Sequence, residues 1–117
     1  MWVDKPLFWL GSSLDEVRAF PAQARRNVGF QLRRVQQGLQ STDRKWMPAV
    51  GTGVQEIRVH AGTEHRVFYV ARFTDGVYIL HAFDKRTRKT PKRDIEQARN
   101  RYRDLLKTRR EEEHGKR

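Results

Sequence analysis

The dipeptide Asp75-Gly76 stands between two runs rich in β-branched and aromatic residues, and it constrains the fold more than any other feature of the chain. Glycine reaches the positive φ that a tight hairpin turn requires, so Asp-Gly between strand-like segments is a strong hairpin signal. His65 to Val70 and Val77 to Phe83 are therefore expected to pair antiparallel. Upstream, Gln55, Ile57 and Val59 alternate with Glu56 and Arg58, the period of a strand with two distinct faces. Leu7 to Leu10 is a short apolar run stopped by Gly11 and reads as a first strand.

Helical patterns flank these strands. Ser13-Leu14-Asp15-Glu16 fits a capping box with Ser13 as N-cap, and Val17 and Phe20 follow at helical spacing. Pro21 ends that helix and suits the first turn of the next. Ala24, Val28, Leu32, Val35 and Leu39 then recur at steps of three and four, the apolar stripe of an amphipathic helix. Arg25, Arg26, Arg33 and Arg34 flank that stripe, and Gly38 lies where the helix should end. Ser41 to Gly53 reads as a loop. Thr90-Pro91 opens a last helix, with Thr90 as N-cap, Pro91 at the first position, and Ile95, Ala98, Tyr102 and Leu105 as its stripe. The order β-α-α-β-β-β-α predicts one α+β domain over residues 1–117. It is an antiparallel β-sheet with an N-terminal helical hairpin and a C-terminal helix.

Charge narrows the partners. Lys and Arg number 25 against 14 Asp and Glu, a formal net charge of +11, which points to a polyanion. Much of the excess lies between Lys85 and Arg117. Residues 107–117 are polar almost throughout and read as a flexible tail. The absence of cysteine excludes disulfide scaffolds, thiolate zinc sites and cysteine nucleophiles. No apolar run approaches the roughly 20 residues that cross a bilayer. The opening residues lack the basic-then-apolar layout of a signal peptide. A cytoplasmic location with no membrane partner is expected.

The chemically prominent residues are cations inside strands. Arg58 and Arg66 flank the turn Ala61-Gly62-Thr63-Glu64, so they can face one side of neighbouring strands. Lys85 and Arg86 end the following strand, and Arg72 lies just past the segment that carries Arg66. Such cations repel one another unless a polyanion lies among them or Glu56 and Asp84 offset part of the charge. Lys45 and Trp46 in the central loop, and Lys89 before the last helix, are further candidates for RNA contact. His81 lies in an apolar run and reads as a hydrogen-bonded interior imidazole. His60, His65, His81 and His114 lack metal-ligand spacing, so neither metal nor cofactor is expected. A site of Arg and Lys fits RNA transesterification, in which the 2′-hydroxyl is its own nucleophile. The protein need only orient it, move protons and stabilise charge on the phosphorane.

Four segments, in order, carry a resemblance: Gln55-Glu56-Ile57-Arg58, His65-Arg66-Val67-Phe68-Tyr69, Ile79 to Arg86, and Lys89-Thr90-Pro91. Their order and spacing resemble the HigB-like, phage-derived branch of the RelE/ParE toxin superfamily, across roughly residues 5–106. The resemblance implies a RelE-like fold and the toxin half of a type II toxin–antitoxin pair. Relatives of the RelE and HigB type cut messenger RNA on the translating ribosome without metal, leaving a 2′,3′-cyclic phosphate. The implied partners are the ribosome, its messenger RNA and a cognate helix-turn-helix antitoxin in a hetero-oligomer. By position, the resemblance makes Arg66 and Arg58 phosphate binders. It makes Lys85 and Arg86 the pair that stabilises the transition state or donates a proton.

Two positions depart from the family pattern. An aromatic residue normally precedes the first arginine, where this chain has His65, and Arg86 replaces the second lysine of a pair. Imidazole titrates near neutral pH, so His65 is a candidate for proton transfer, and the general base is otherwise open. Two alternatives remain: a ParE-like gyrase inhibitor that acts by binding, and a non-toxic nucleic-acid-binding module.

Overall fold

The computed structural model describes residues 4–115. Its elements in chain order are β1 (Leu7–Trp9), α1 (Ser13–Arg18), α2 (Ala22–Gln36), β2 (Arg44–Trp46), β3 (Val54–Ala61), β4 (Thr63–Val70), β5 (Val77–Lys85) and α3 (Lys92–Gly115). The five strands form one sheet in the order β1-β5-β4-β3-β2. The architecture is α+β, with the small helices α1 and α2 on one face of the sheet and α3 on the other. The β4–β5 hairpin forms as expected, but not through a tight Asp-Gly turn: its loop spans residues 71–76 and Gly76 does not take a positive φ. Glycine is needed there for space instead, since a Cβ would lie 2.4 Å from the Phe8 ring.

Alternation along β3 and β4 builds two cores. Ile57, Val59, Val67 and Tyr69 face α1 and α2, and meet Val17, Phe20, Ala24, Val28, Leu32 and Val35. Val54, Phe68, Val70, Leu80 and Phe83 face α3, and meet Ala98, Tyr102 and Leu105. Four of the five stripe residues of α2 are thus buried. Leu39 is not, because the chain leaves the helix at Gly38, where φ is +83°. The N–H of Leu39 donates to Arg34 O and that of Gly38 to Val35 O, which closes the helix in a Schellman motif.

Several local expectations need correction. The sheet is mixed, because β1 runs parallel to β5, with Leu7 beside Val77 and Trp9 beside Ile79. The segment read as a loop contains the edge strand β2, paired with Gln55 to Ile57. Three residues are too few to show a period. Ser12, not Ser13, precedes α1, and its hydroxyl donates to Glu16 Oε2. The Ser13 hydroxyl instead donates inward to Ile79 O. The last helix opens one residue late, so Thr90 is not its cap. The Pro91 carbonyl accepts from Asp94 and Ile95.

Residues 107–115 are helical, not a flexible tail. Arg109 explains why: it bridges to Asp75 at 3.0 Å and lies 4.0 Å over the Phe73 ring, tying the end of α3 to the β4–β5 loop. Lys116 and Arg117 lie outside the described residues.

Candidate functional site

Register decides which cations share a face. Arg58 on β3 is directly opposite Arg66 on β4, and Arg66 is opposite Phe83 on β5. Two residues further along lies a second row, His60, Glu64 and Lys85. One row back lie Lys45, Glu56, Phe68 and His81. Because partners in register point to the same side, all three rows lie on the α3 face of the sheet. Rows are about 6.7 Å apart along the strands. Arg58, Arg66 and Lys85 therefore occupy one patch.

Two like charges in direct cross-strand contact repel. Glu56 resolves the conflict: its Oε1 accepts from Arg58 Nε at 3.2 Å and lies 3.7 Å from Arg66 Nε. Arg66 is nearly buried and uses its remaining nitrogens on its neighbours. One donates to His65 O at 3.1 Å and another to Glu64 Oε1 at 3.0 Å. Arg58 is one-third exposed and Lys85 is partly exposed. Among the described residues, Glu56 Oε2 and Arg66 Nε are buried without a hydrogen-bond partner. A donor and an acceptor thus stand unsatisfied side by side in the middle of the patch, and such groups are rare and costly in folded proteins.

The other side chains singled out from the sequence divide. Lys45 is exposed on the edge strand beside Glu56, on the same face. Arg86 is exposed at the rim of a cleft lined by Phe83, Asp84, Thr87, Pro91, Arg93 and Asp94. Lys89 is exposed in the following loop. His65 lies elsewhere. It alternates with Arg66, so it points under α1, where its buried ring packs 4.6 Å from Phe20. Its Nδ1 bonds Asp84 at 2.7 Å, which removes Asp84 from the cation patch as well. His65 is not a group of this site. Trp46 pairs with Gln55, whose side of the sheet is also opposite, and the Arg44 guanidinium sits 5.6 Å from its ring. Arg72 is at the far end of the sheet, donating to Tyr102 Oη at 3.0 Å.

His81 is the hydrogen-bonded interior imidazole that the sequence suggests, but sequence reasoning missed the polar cluster around it, buried between α1, β5 and α3. His81 Nδ1 lies 3.0 Å from Glu16 Oε1, and its Nε2 lies 2.7 Å from Asp94 Oδ1. Arg101 donates to both oxygens of Glu16, at 2.9 and 3.0 Å, to Ser12 Oγ, and to Leu80 O. A β-bulge explains the last bond. His81 is opposite Phe68 and Ile79 opposite Tyr69, which leaves Leu80 out of register, and Arg101 takes up its carbonyl. Gly11 makes room: its φ is +53°, and a Cβ there would lie 2.5 Å from Arg101 Nε. One signal was available. Asp94, Ala98, Arg101 and Leu105 follow steps of four, three and four, so both charges sit in phase with the buried stripe.

This cluster sets a pH dependence. Burial alone would lower the His81 pKa, but its bonds to Glu16 and Asp94 outweigh burial and raise it above 6.5. Burial alone would raise Glu16, yet His81, Arg101 and the Ala82 N–H hold it far below the usual carboxylate range. The His81 contribution is complete below pH 6.5 and is lost as pH rises through the raised folded value. Urea unfolding is therefore expected to show stability falling as pH rises above 6.5. His81→Gln should flatten that slope, leaving the part due to His60, whose pKa is raised by Asp43 and Glu64. A slope unchanged in His81→Gln would refute the assignment.

A mixed sheet with two helices on one face, a long C-terminal helix on the other and a cationic patch at one end is a RelE-like α+β architecture. Residues 15–103 match the family described as phage-derived protein Gp49-like (DUF891), a RelE/toxin-like family, and the chain belongs to it. No curated protein matches the sequence.

Proposed function

We propose that this chain is the toxin of a type II toxin–antitoxin pair, of HigB-like type, and that it stops translation by cutting messenger RNA on the ribosome. One observation carries the reading: Arg58 and Arg66 directly opposed, Lys85 one row on, and the Glu56 carboxylate between the guanidiniums. In the reaction the 2′-oxygen forms a bond to the adjacent phosphorus and the bond to the 5′-oxygen breaks. A 2′,3′-cyclic phosphate and a 5′-hydroxyl result. Glu56 holds the two guanidiniums in place, and the 2′-hydroxyl proton leaves to water. Arg58 and Arg66 hold the negative charge of the phosphorane through fork-shaped donors. Lys85 gives a proton to the departing 5′-oxygen. The phosphodiester is taken at the partly exposed Arg58 and Lys85, so a helix-turn-helix antitoxin would silence the patch by covering this face in the cytoplasm.

The test is expression from a tightly closed promoter with RNA 5′ ends mapped across translated frames. Cleavage at positions inside those frames is expected. Glu56→Gln, which keeps the shape of the side chain but removes the charge between the guanidiniums, should lower the cleavage rate by about 10² through misplacement of Arg58 and Arg66. Growth arrest with intact messenger RNA and impaired plasmid supercoiling would instead establish gyrase as the target.

A further inference from the structure

We infer that the outward face of α2 is a second RNA-docking surface, on the opposite side of the sheet from the cation patch. It rests on RNA being the target, but not on RNA being cut. Arg26, Gly29, Phe30 and Arg33 are spaced i, i+3, i+4 and i+7, so they form one continuous helix face. All four are exposed, and Phe30 is 60% exposed. The helix carries four arginines and no acidic residue, so nothing within it offsets the charge.

Gly29 runs against helix stability. A glycine inside a helix costs about 1 kcal/mol relative to alanine. Among the described residues a Cβ at Gly29 would meet nothing within 4 Å, so no packing there requires the glycine. What remains is the outside: a helix without a side chain at that point lets a ligand approach the backbone. Phe30 beside it offers a flat ring, and Arg26 and Arg33 stand about 10.5 Å apart along the axis on either side. Guanidinium groups bracketing an exposed aromatic ring suit phosphates bracketing a stacked base. The existing partners of the arginines are weak competitors: Arg33 with Asp4 at an exposed position, and Arg26 with Gln23.

The test uses full-length protein and a fluorescent structured RNA, read by anisotropy as salt is varied. Arg26→Gln with Arg33→Gln should weaken binding about tenfold at 150 mM salt and reduce the log–log salt slope by between 1 and 2, as for two lost phosphate contacts. A charge-matched control, Arg103→Gln with Arg110→Gln on α3, should weaken binding less than threefold. Phe30→Ala should weaken it without changing the slope. Gly29→Ala should raise the melting temperature while lowering affinity, so its loss of binding is not a loss of fold. Equal effects of the two arginine pairs would overturn the proposal. So would unchanged RNA binding in the α2 variants alongside weakened binding of a polyglutamate peptide, which would make the face a protein contact. Because binding is read without cleavage, failure here leaves the nuclease reading standing, and failure of cleavage leaves this one standing.

Discussion

Replacing Arg66 and Lys85 together by alanine is expected to abolish toxicity while ribosome binding weakens only modestly. Lys85 is partly exposed and forms no salt bridge among the described residues, so Lys85→Ala alone should leave stability within about 0.5 kcal/mol, as surface changes do. Its cleavage rate should nevertheless fall about 10²-fold, the scale of one lost group that stabilises transition-state charge. Arg66 is different. It is held between Glu56 and Glu64, and its removal leaves a buried carboxylate short of a partner. Arg66→Lys separates the two effects. It keeps a cation beside Glu56 but loses the bidentate fork, so cleavage should drop with most of the fold retained. Cleavage assayed on translating ribosomes, alongside thermal unfolding of each variant, decides the matter. A Lys85→Ala protein that cuts at the parental rate would remove Lys85 from the mechanism.

The second large effect is on stability. Glu16→Ala should destabilise the domain by about 3 kcal/mol, at the lower end of the cost of removing one partner from a buried ion pair. Glu16 accepts from Arg101 through both oxygens, from the Ala82 N–H, and pairs with His81. Its loss leaves Arg101, only 9% exposed, as an uncompensated buried charge. Total stability of a domain is about 5–15 kcal/mol, so this single change consumes a large part of it. Guanidinium titration measures the loss. A cost below 1 kcal/mol would show that the cluster is replaceable by solvent. The cluster joins α1, β5 and α3, so Glu16→Ala should also speed amide exchange in the first turns of α3.

The patch was partly legible before any coordinates. Arg58 and Arg66 lie at equal distances from a tight turn, so their opposition follows from counting residues along the hairpin. The placement of His65 follows from the same alternation: the residue before an arginine in a strand faces the other way. The family pattern drew attention to that position, but the two-residue period excludes it from the patch. Glu56 was visible as an offsetting charge, whereas its burial between two guanidiniums was not. Nothing local to Glu56 announces that Arg66 lies across the strand. Arg101 and Asp94 were hidden by their chemistry, since charged residues in a basic helix read as solvated surface.

Local order decided most of the elements. Strand pairing across the β3–β4 turn, apolar stripes, helix stops and the two faces of β3 and β4 depend on residues a few positions apart, and short-range sterics and periodicity determine them. Three features waited for the tertiary structure: the parallel seat of β1, the continuation of α3 to Gly115, and the Glu16–His81–Asp94–Arg101 cluster. They depend on groups from 13 to 85 positions apart in sequence. Burial and partners at such separations are set by how the layers stack, and one-dimensional spacing carries no record of that.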